Sequence, residues 1–360
     1  MTLKEFESRL ERLGLTDLKD PIIDFLVRIF CAGKRLPYSR VWYSAKEPRE
    51  ETLIDVDEKV LNTVSQLGLV QVSRKCHERS ANWTLYEMHL TESAEEIASQ
   101  AVENRIQSKS DELAEILKEY PRTLLKILSD HMIVRESLHD VPVGWAFMEV
   151  PPLLSKVKRD PAWYYGKESM YTYEVEWVLE KSRIRFERIG LNLDSRENLE
   201  KYFWISVSWH PIFRQQCESL LKRLVNLGFA AFKSLYTTTC HNYSDAYIIP
   251  PQLVSFIEKG IKDYNKPSRE MLAEFVYMIL LAKALRKITR SECLNILRLL
   301  DLTEKDFSEY LETLHAKKLT SRYDMLASMT DQPFIIQDQD GLMNELNDRL
   351  RIMVSLILTK

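Results

Sequence analysis

Val60–Val70, which reads VLNTVSQLGLV, and Leu220–Ala230, which reads LLKRLVNLGFA, share one pattern of apolar residues 160 positions apart. The apolar residues recur at i, i+1, i+4 and i+7, which is one face of an α-helix. Glycine adopts the left-handed conformation that ends many helices, so Gly68 and Gly228 are predicted to close these two helices. A short β-prone stretch follows each glycine, LVQV in the first and FAAF in the second. The sequence therefore predicts a duplicated unit in which a buried helix leads into a β-hairpin.

Length and composition describe an ordinary globular chain. At 360 residues it can hold two or three domains, and its 45% hydrophobic and 29% charged residues are typical of soluble proteins. No apolar run reaches the roughly 18 residues that span a bilayer, and the N-terminal stretch MTLKEFESRLERLG lacks the apolar centre of a signal peptide. The five cysteines are scattered, as in proteins of reducing compartments. We therefore expect a cytoplasmic protein with no membrane association.

The sequence also argues against the commonest enzyme classes. The chain has nine glycines, and no two lie closer together than Gly14 and Gly33. A phosphate-binding loop needs several glycines within a few residues, so that backbone N–H groups can approach the ligand. The pairs Cys76-His77 and Cys240-His241 lack the paired spacing of a four-ligand zinc site. We expect neither an enzyme nor a cofactor or metal site.

The first predicted unit spans residues 1–105. Asp20 is predicted to cap its first helix, a short second helix is predicted near Ser39–Ala45, and Asp55 is predicted to cap the third helix, which ends at Gly68. Two β-prone stretches, LVQV and WTLYEMHL, flank a polar tip and predict a hairpin. The stretch LTESAEEIASQ then predicts a helix that opens at Thr91.

Three further segments complete the predicted organisation. Residues 106–165 are expected to form a helical and proline-containing connector, in which VPVGWAFMEVPPLL is extended. Residues 166–265 form the second unit, with helices that start at Asp194 or Ser195 and at Pro211. Residues 266–360 form a third, looser copy with a long C-terminal helix, and Ser268 and Thr303 are predicted to cap two of its helices.

Between residues 20 and 105 the order of helices, hairpin and closing helix resembles winged-helix transcription regulators of the MarR and ArsR type. The resemblance rests on the pattern LGLV, hairpin, LTE and amphipathic helix rather than on a unique motif. It implies a mainly α protein with small β-hairpins (α+β), built from tandem winged-helix domains. It also implies binding to double-stranded DNA, by a transcription regulator or a chromosome-associated factor.

Two groups of residues are candidates for DNA contact. One lies on the third helix of the second unit, where cations, amides and a hydroxyl suit phosphates and base edges. Its members are Arg214, Gln215, Ser219, Lys222 and Arg223. The other lies at the first hairpin, where cations would neutralise phosphates. Its members are Arg74, Lys75 and Arg79. The alternative is that both groups are simply solvated, as exposed helix faces and hairpin tips usually are.

A tandem winged-helix scaffold for protein partners is the competing hypothesis. The net charge is −3 and the isoelectric point is near 6.2, so the whole chain does not attract DNA electrostatically. Acidic residues dominate the exposed positions of the third copy, namely Glu304, Asp306, Glu309 and Glu312. The last helix repeats Leu342, Leu346, Leu350, Met353 and Ile357 at near-heptad spacing. That spacing fits either a homodimer seam or a helix that covers its own domain core.

Aromatic residues concentrate between positions 145 and 177. Such residues can stack on bases or grip an apolar ligand, but more often they pack the junction between domains. We expect packing here. The cluster consists of Trp145, Phe147, Trp163, Tyr164, Tyr165, Tyr171, Tyr173 and Trp177.

Overall fold

The computed structural model describes residues 1–43, 48–76, 83–131, 141–150, 193–237, 242–284, 290–316 and 339–359. Up to residue 150 the elements are α1 (Leu3–Arg12), a 3-10 turn (Thr16–Leu18), α2 (Lys19–Cys31), β1 (Arg35–Tyr43), β2 (Pro48–Thr52), α3 (Glu58–Gln66), β3 (Val70–Cys76), β4 (Trp83–Leu90), α4 (Glu92–Ser108), α5 (Ser110–Lys118), α6 (Arg122–His131) and β5 (Ala146–Val150). The protein is thus mainly helical with small β-sheets.

From residue 193 onward the elements are again mostly helices. They are α7 (Arg196–Trp209), α8 (Pro211–Asn226), β6 (Ala231–Thr237), β7 (Asn242–Ile249), α9 (Pro251–Gly260), α10 (Arg269–Ala284), α11 (Arg290–Arg298), α12 (Glu304–Ala316) and α13 (Gln339–Ile357).

Contacts divide the chain into two compact units, each assembled from separate segments. The first unit comprises Met1–Tyr120, Leu128–Leu153 and Glu218–Lys262. The second unit comprises Pro121–Ile127, Leu154–Cys217 and Asp263–Lys360. The first unit contains all seven described strands, so both hairpins predicted from the repeat belong to one body.

Both sheets of the first unit are antiparallel and share an arrangement of three strands, to which the larger sheet adds a fourth. The larger sheet runs β2-β1-β4-β3, and the smaller runs β5-β7-β6. In each, the second strand of the hairpin lies between the first strand of the hairpin and a strand from earlier in the chain. The β3–β4 ladder extends from Val70 opposite Leu90 to Cys76 opposite Thr84. The predicted hairpins are therefore confirmed; β1 and β2 extend the first, and β5 extends the second.

The sequence repeat of Val60–Val70 and Leu220–Ala230 is also a repeat of backbone geometry. The N–H of Leu69 donates to the carbonyl of Val64, and the N–H of Phe229 donates to that of Leu224, both at 2.9 Å. Gly68 has φ of 67° and Gly228 has φ of 76°, which is the left-handed conformation that was predicted. This pairing is the Schellman arrangement, and it satisfies carbonyl groups that a helix end leaves without partners.

The same junction places the apolar residues of both helices in the core. Val64, Leu69, Leu224 and Phe229 are each at most 1% exposed. The closing helix is tied to the first junction by Thr91, whose N–H donates to the carbonyl of Leu69 at 3.0 Å. The order of helix, glycine, hairpin and closing helix thus occurs twice in the chain.

Three local predictions for the first copy are wrong. Strand β1 covers Arg35–Tyr43, where the short second helix was predicted to begin, because the stretch is rich in β-prone residues. Residues 44–47 lie outside the described residues. Asp57 caps α3, since its carboxylate accepts the N–H of Lys59 at 2.7 Å, whereas Asp55 lies two residues too early. Helix α2 starts at Lys19, so Asp20 already lies inside it.

Helix starts in the C-terminal half were predicted more accurately. Ser195 caps α7 by accepting the N–H of Asn198 at 3.2 Å. Ser268 caps α10 by accepting the N–H of Met271 at 3.2 Å. Thr303 and Asp306 form a reciprocal capping box, in which the N–H of Asp306 donates to the Thr303 hydroxyl and the N–H of Thr303 donates to the Asp306 carboxylate.

The C-terminal helix packs on its own domain. All five of its regularly spaced apolar residues are at most 3% exposed, and these are Leu342, Leu346, Leu350, Met353 and Ile357. They therefore form part of the core of the second unit rather than an exposed seam. Trp145 and Phe147 are both 5% exposed, so they pack within the first unit, whereas the other six aromatic residues lie outside the described residues.

The two junction glycines provide a matched test of the repeat. Replacing either Gly68 or Gly228 with alanine is expected to cost about 1–2 kcal/mol, because an L-residue is strained at positive φ. A Cβ at Gly68 meets open space, whereas a Cβ at Gly228 would lie 2.8 Å from Arg105 Nη1. That guanidinium is the far end of a flexible side chain and can move aside, so Gly228→Ala should cost only slightly more than Gly68→Ala, as measured by chemical denaturation. In an Arg105→Ala background the two substitutions should cost the same, and a persistent difference would contradict this explanation.

Candidate nucleic-acid interface

Helix α8 carries five of the residues predicted to contact DNA. His210 precedes it, and the imidazole Nδ1 accepts the N–H of Ile212 at 3.3 Å, which satisfies a donor of the first turn. Phe213, Cys217 and Leu224 line its buried side, and each is fully buried. The side chains exposed along the helix are Gln215, Ser219, Lys222 and Asn226.

Arg214 does not belong to that exposed side. It lies three residues before Cys217 and seven before Leu221, so helical periodicity places it on the buried stripe. Its relative exposure is 7%. This position corrects the prediction from residue type alone, and we do not include Arg214 in the proposed interface. Arg214 and Gln215 also belong to the second unit, whereas Ser219, Lys222 and Arg223 belong to the first.

Lys222 is exposed and forms an ion pair with an acidic residue on its own helix. Its Nζ lies 2.9 Å from Glu218 Oε1, one turn earlier, and 62% of its side chain is exposed. Glu218 raises the pKa of Lys222, because the carboxylate stabilises the ammonium form. Lys222 therefore stays protonated throughout the physiological range, but its charge is partly compensated.

Arg223 forms an ion pair with a residue far away in the sequence. Its Nη1 donates to Glu119 Oε2 at 2.6 Å, and this contact raises the pKa of Arg223. Beside it, the hydroxyl groups of Tyr120 and Ser219 lie 3.2 Å apart. Sequence reasoning did not predict that Glu119 and Tyr120 lie beside α8, since they precede it by about 100 residues. Exposed ion pairs of this kind are weak because water screens them, so a phosphate can compete with these carboxylates.

The first hairpin supplies the second predicted group. Arg74 and Lys75 lie on β3, where they pair with Tyr86 and Leu85 of β4. They occupy the end of the ladder nearest the predicted basic tip, whereas Arg79 lies outside the described residues. Two of the three residues predicted to contact DNA at this hairpin, Arg74 and Lys75, therefore lie near the end of strand β3.

Within the described part of the chain, no group of three or more His, Cys, Asp or Glu side chains is arranged to hold a metal ion. No helix there is both long enough and apolar enough to cross a membrane. No family model, curated protein or solved structure matches the chain. The class of protein must therefore be inferred from its strand order and from the surface of α8.

Proposed function

We propose that this chain is a tandem winged-helix protein that binds double-stranded DNA. Strand order supports the fold: in a winged helix the last strand lies between the two others, as β4 and β7 do. In the second copy α7 and α8 form a helix pair joined by His210 alone. The first copy departs from the pattern, because β2 occupies the chain between β1 and α3 where a second helix is usual.

The observation that carries the DNA-binding proposal is the exposed side of α8. Ser219, Lys222 and Asn226 are exposed on the helix that leads into the hairpin, opposite its buried stripe. In the helix-turn-helix class this helix enters the major groove, where amide, hydroxyl and ammonium groups contact base edges and phosphates. Arg74, Lys75 and Arg79 would then hold the phosphate backbone beside the groove.

A gel-shift titration with duplex DNA at several salt concentrations tests this proposal. Lys222→Ala/Arg223→Ala is expected to bind roughly tenfold more weakly at 0.1 M salt, and each lost phosphate contact should lower the salt slope by about one. The triple variant Arg74→Ala/Lys75→Ala/Arg79→Ala should behave in the same way.

Lys305→Ala is the matched control for the gel shift. Lys305 also pairs with a glutamate one turn away on its helix, Glu309 at 3.7 Å, and its side chain is 85% exposed. Lys305→Ala removes one charge and therefore matches the single variant Lys222→Ala, but Lys305 lies on α12 of the second unit. Equal weakening by Lys305→Ala, or no binding by the parent at low salt, would refute the proposal.

A protein-interaction scaffold is the second candidate, and the ion pairs of α8 favour it. Glu218 and Glu119 compensate the charges of Lys222 and Arg223, which reduces the positive potential of this surface. A surface with compensated charges suits a protein partner better than a polyanion. A parent protein that shows no salt-dependent affinity for DNA and purifies with a stoichiometric protein partner would favour this reading.

A further inference from the structure

The end of helix α5 lies against the exposed side of α8. The helix ends at Lys118, and each of the next two residues contacts α8. Glu119 Oε2 accepts a hydrogen bond from Arg223 Nη1 at 2.6 Å. The hydroxyl group of Tyr120 lies 3.2 Å from that of Ser219. Ser219 and Arg223 are one turn apart on α8, so the end of α5 follows one turn of the helix proposed to contact DNA. All of these residues belong to the first unit.

This contact differs from the ion pair of Lys222 because it joins two separate helices. Glu218, the partner of Lys222, lies on α8 itself. Glu119 is instead the C-cap residue of α5. The carbonyl groups at a helix C-terminus carry partial negative charge, which adds to the charge of the Glu119 carboxylate and favours a nearby cation. Hydrogen bonds between two charged groups are also among the stronger ones. The end of α5 therefore binds the guanidinium of Arg223 as a separate anionic element.

The ion pair uses the same guanidinium that DNA would contact. A phosphate oxygen and a carboxylate oxygen are both anionic acceptors, so they compete for the N–H groups of an arginine. The side chain of Glu119 is 58% exposed and that of Arg223 is 40% exposed, so solvent and ligands can reach both. A phosphate that approached Arg223 would therefore also meet the negative charge of Glu119, and like charges repel. Binding of DNA to Arg223 thus favours separation of the pair.

We propose that the end of α5 is an autoinhibitory contact, in which Glu119 holds Arg223 and double-stranded DNA must displace it. This inference rests on the proposed binding of DNA by α8. Its consequence is that the affinity for DNA is set by two competing anions, one within the chain and one on the duplex. Any change that draws the end of α5 away from α8 strengthens DNA binding without altering the residues that contact the duplex.

A gel shift of the full chain with duplex DNA tests the proposal. Glu119→Gln keeps the size of the side chain and removes its charge, and it should bind about three- to fivefold more tightly than the parent at about 0.1 M salt, as befits an exposed pair. Glu309→Gln is the matched control, since Glu309 is 63% exposed, pairs with Lys305 on its own helix and lies in the second unit. The control should change the affinity by less than about twofold.

A double-mutant cycle with Arg223→Ala isolates the ion pair from the other effects of Glu119. Without Arg223 the carboxylate has no guanidinium to withhold from DNA, so Glu119→Gln should then raise the affinity by less than about twofold. Glu119 also has an interaction besides that with Arg223, and the cycle subtracts it because it is removed in both backgrounds. Glu119 is exposed, so its replacement by glutamine should leave the fold intact, which circular dichroism can verify.

Each other outcome overturns the autoinhibitory role in a different way. Equal gains with and without Arg223 would show that Glu119 acts only by general repulsion. Weaker binding by Glu119→Gln would show that Glu119 orients Arg223 for a phosphate. Binding by the parent with no gain in Glu119→Gln would overturn this inference and leave the DNA-binding proposal intact, whereas no binding by either protein would overturn both.

Discussion

Replacing Phe275 with alanine is expected to lower the free energy of unfolding by about 3–5 kcal/mol. Phe275 of α10 is fully buried, and its ring meets the rings of Phe203 and Tyr202 edge to face, with centroids 5.2 Å and 5.8 Å apart. The substitution removes apolar surface from the core of the second unit, leaves a cavity and abolishes two aromatic contacts. Chemical denaturation followed by circular dichroism measures the loss.

Two companion variants separate the parts of this effect. Phe275→Leu keeps most of the buried volume, so its cost should fall well below that of alanine. Ile352→Ala on α13 of the same unit removes apolar atoms that are 56% exposed, and it should change stability by less than about 0.5 kcal/mol. A loss for Phe275→Ala no larger than that for Ile352→Ala would show that the aromatic cluster does not form.

The stability of the second unit is expected to fall between pH 6.5 and pH 4 because of His210. Burial, with a smaller contribution from the nearby Arg351, lowers the pKa of His210 from its ordinary value of 6.5 to about 4. The folded state therefore binds this proton more weakly than the unfolded state does. The contribution is fully present above pH 6.5 and is lost as the pH falls toward 4, with a total on the order of 3 kcal/mol.

His210→Asn tests this mechanism with little change in structure. The asparagine oxygen can accept the N–H of Ile212 as Nδ1 does, but the amide does not titrate in this range. The variant should thus lose less stability than the parent between pH 6.5 and pH 4, as measured by denaturation at each pH. An NMR titration of the parent should show a neutral His210 imidazole down to about pH 4. An imidazole that protonates near pH 6.5 would contradict the prediction.

The parts of the fold that follow from local chemistry were predictable. Gly68 and Gly228 each end a helix because glycine readily adopts the left-handed conformation. The apolar residues before each glycine recur with the period of an α-helix. Thr303 and Asp306 form their capping box through groups three residues apart. Such features depend only on residues that are close together in the chain, so they can be predicted from one sequence.

Features that depend on distant residues were not predictable in this way. Strand β1 contains Pro37, and its register with β4 shifts between Pro37 and Ser39, the kind of irregularity at which a strand tolerates proline. The pairing of Arg223 with Glu119 joins residues 104 positions apart. Residue types identified α8 as a candidate DNA-binding helix. Only tertiary packing shows that Arg214 is buried and that Arg223 has an acidic partner.

The discontinuous first unit has a consequence for the order of events during synthesis. Its first segment ends at Tyr120 and its last ends at Lys262, so 142 residues separate the two positions. At about 5–20 residues per second, a ribosome needs roughly 7–28 s to make them. For most of that interval α4 lacks α9, whose Gln252 later donates to Ser99 at 2.7 Å, and Arg105 lacks the carbonyl of Gly228. The nascent chain therefore holds these polar groups of α4 without their native partners for many seconds before the first unit can be completed.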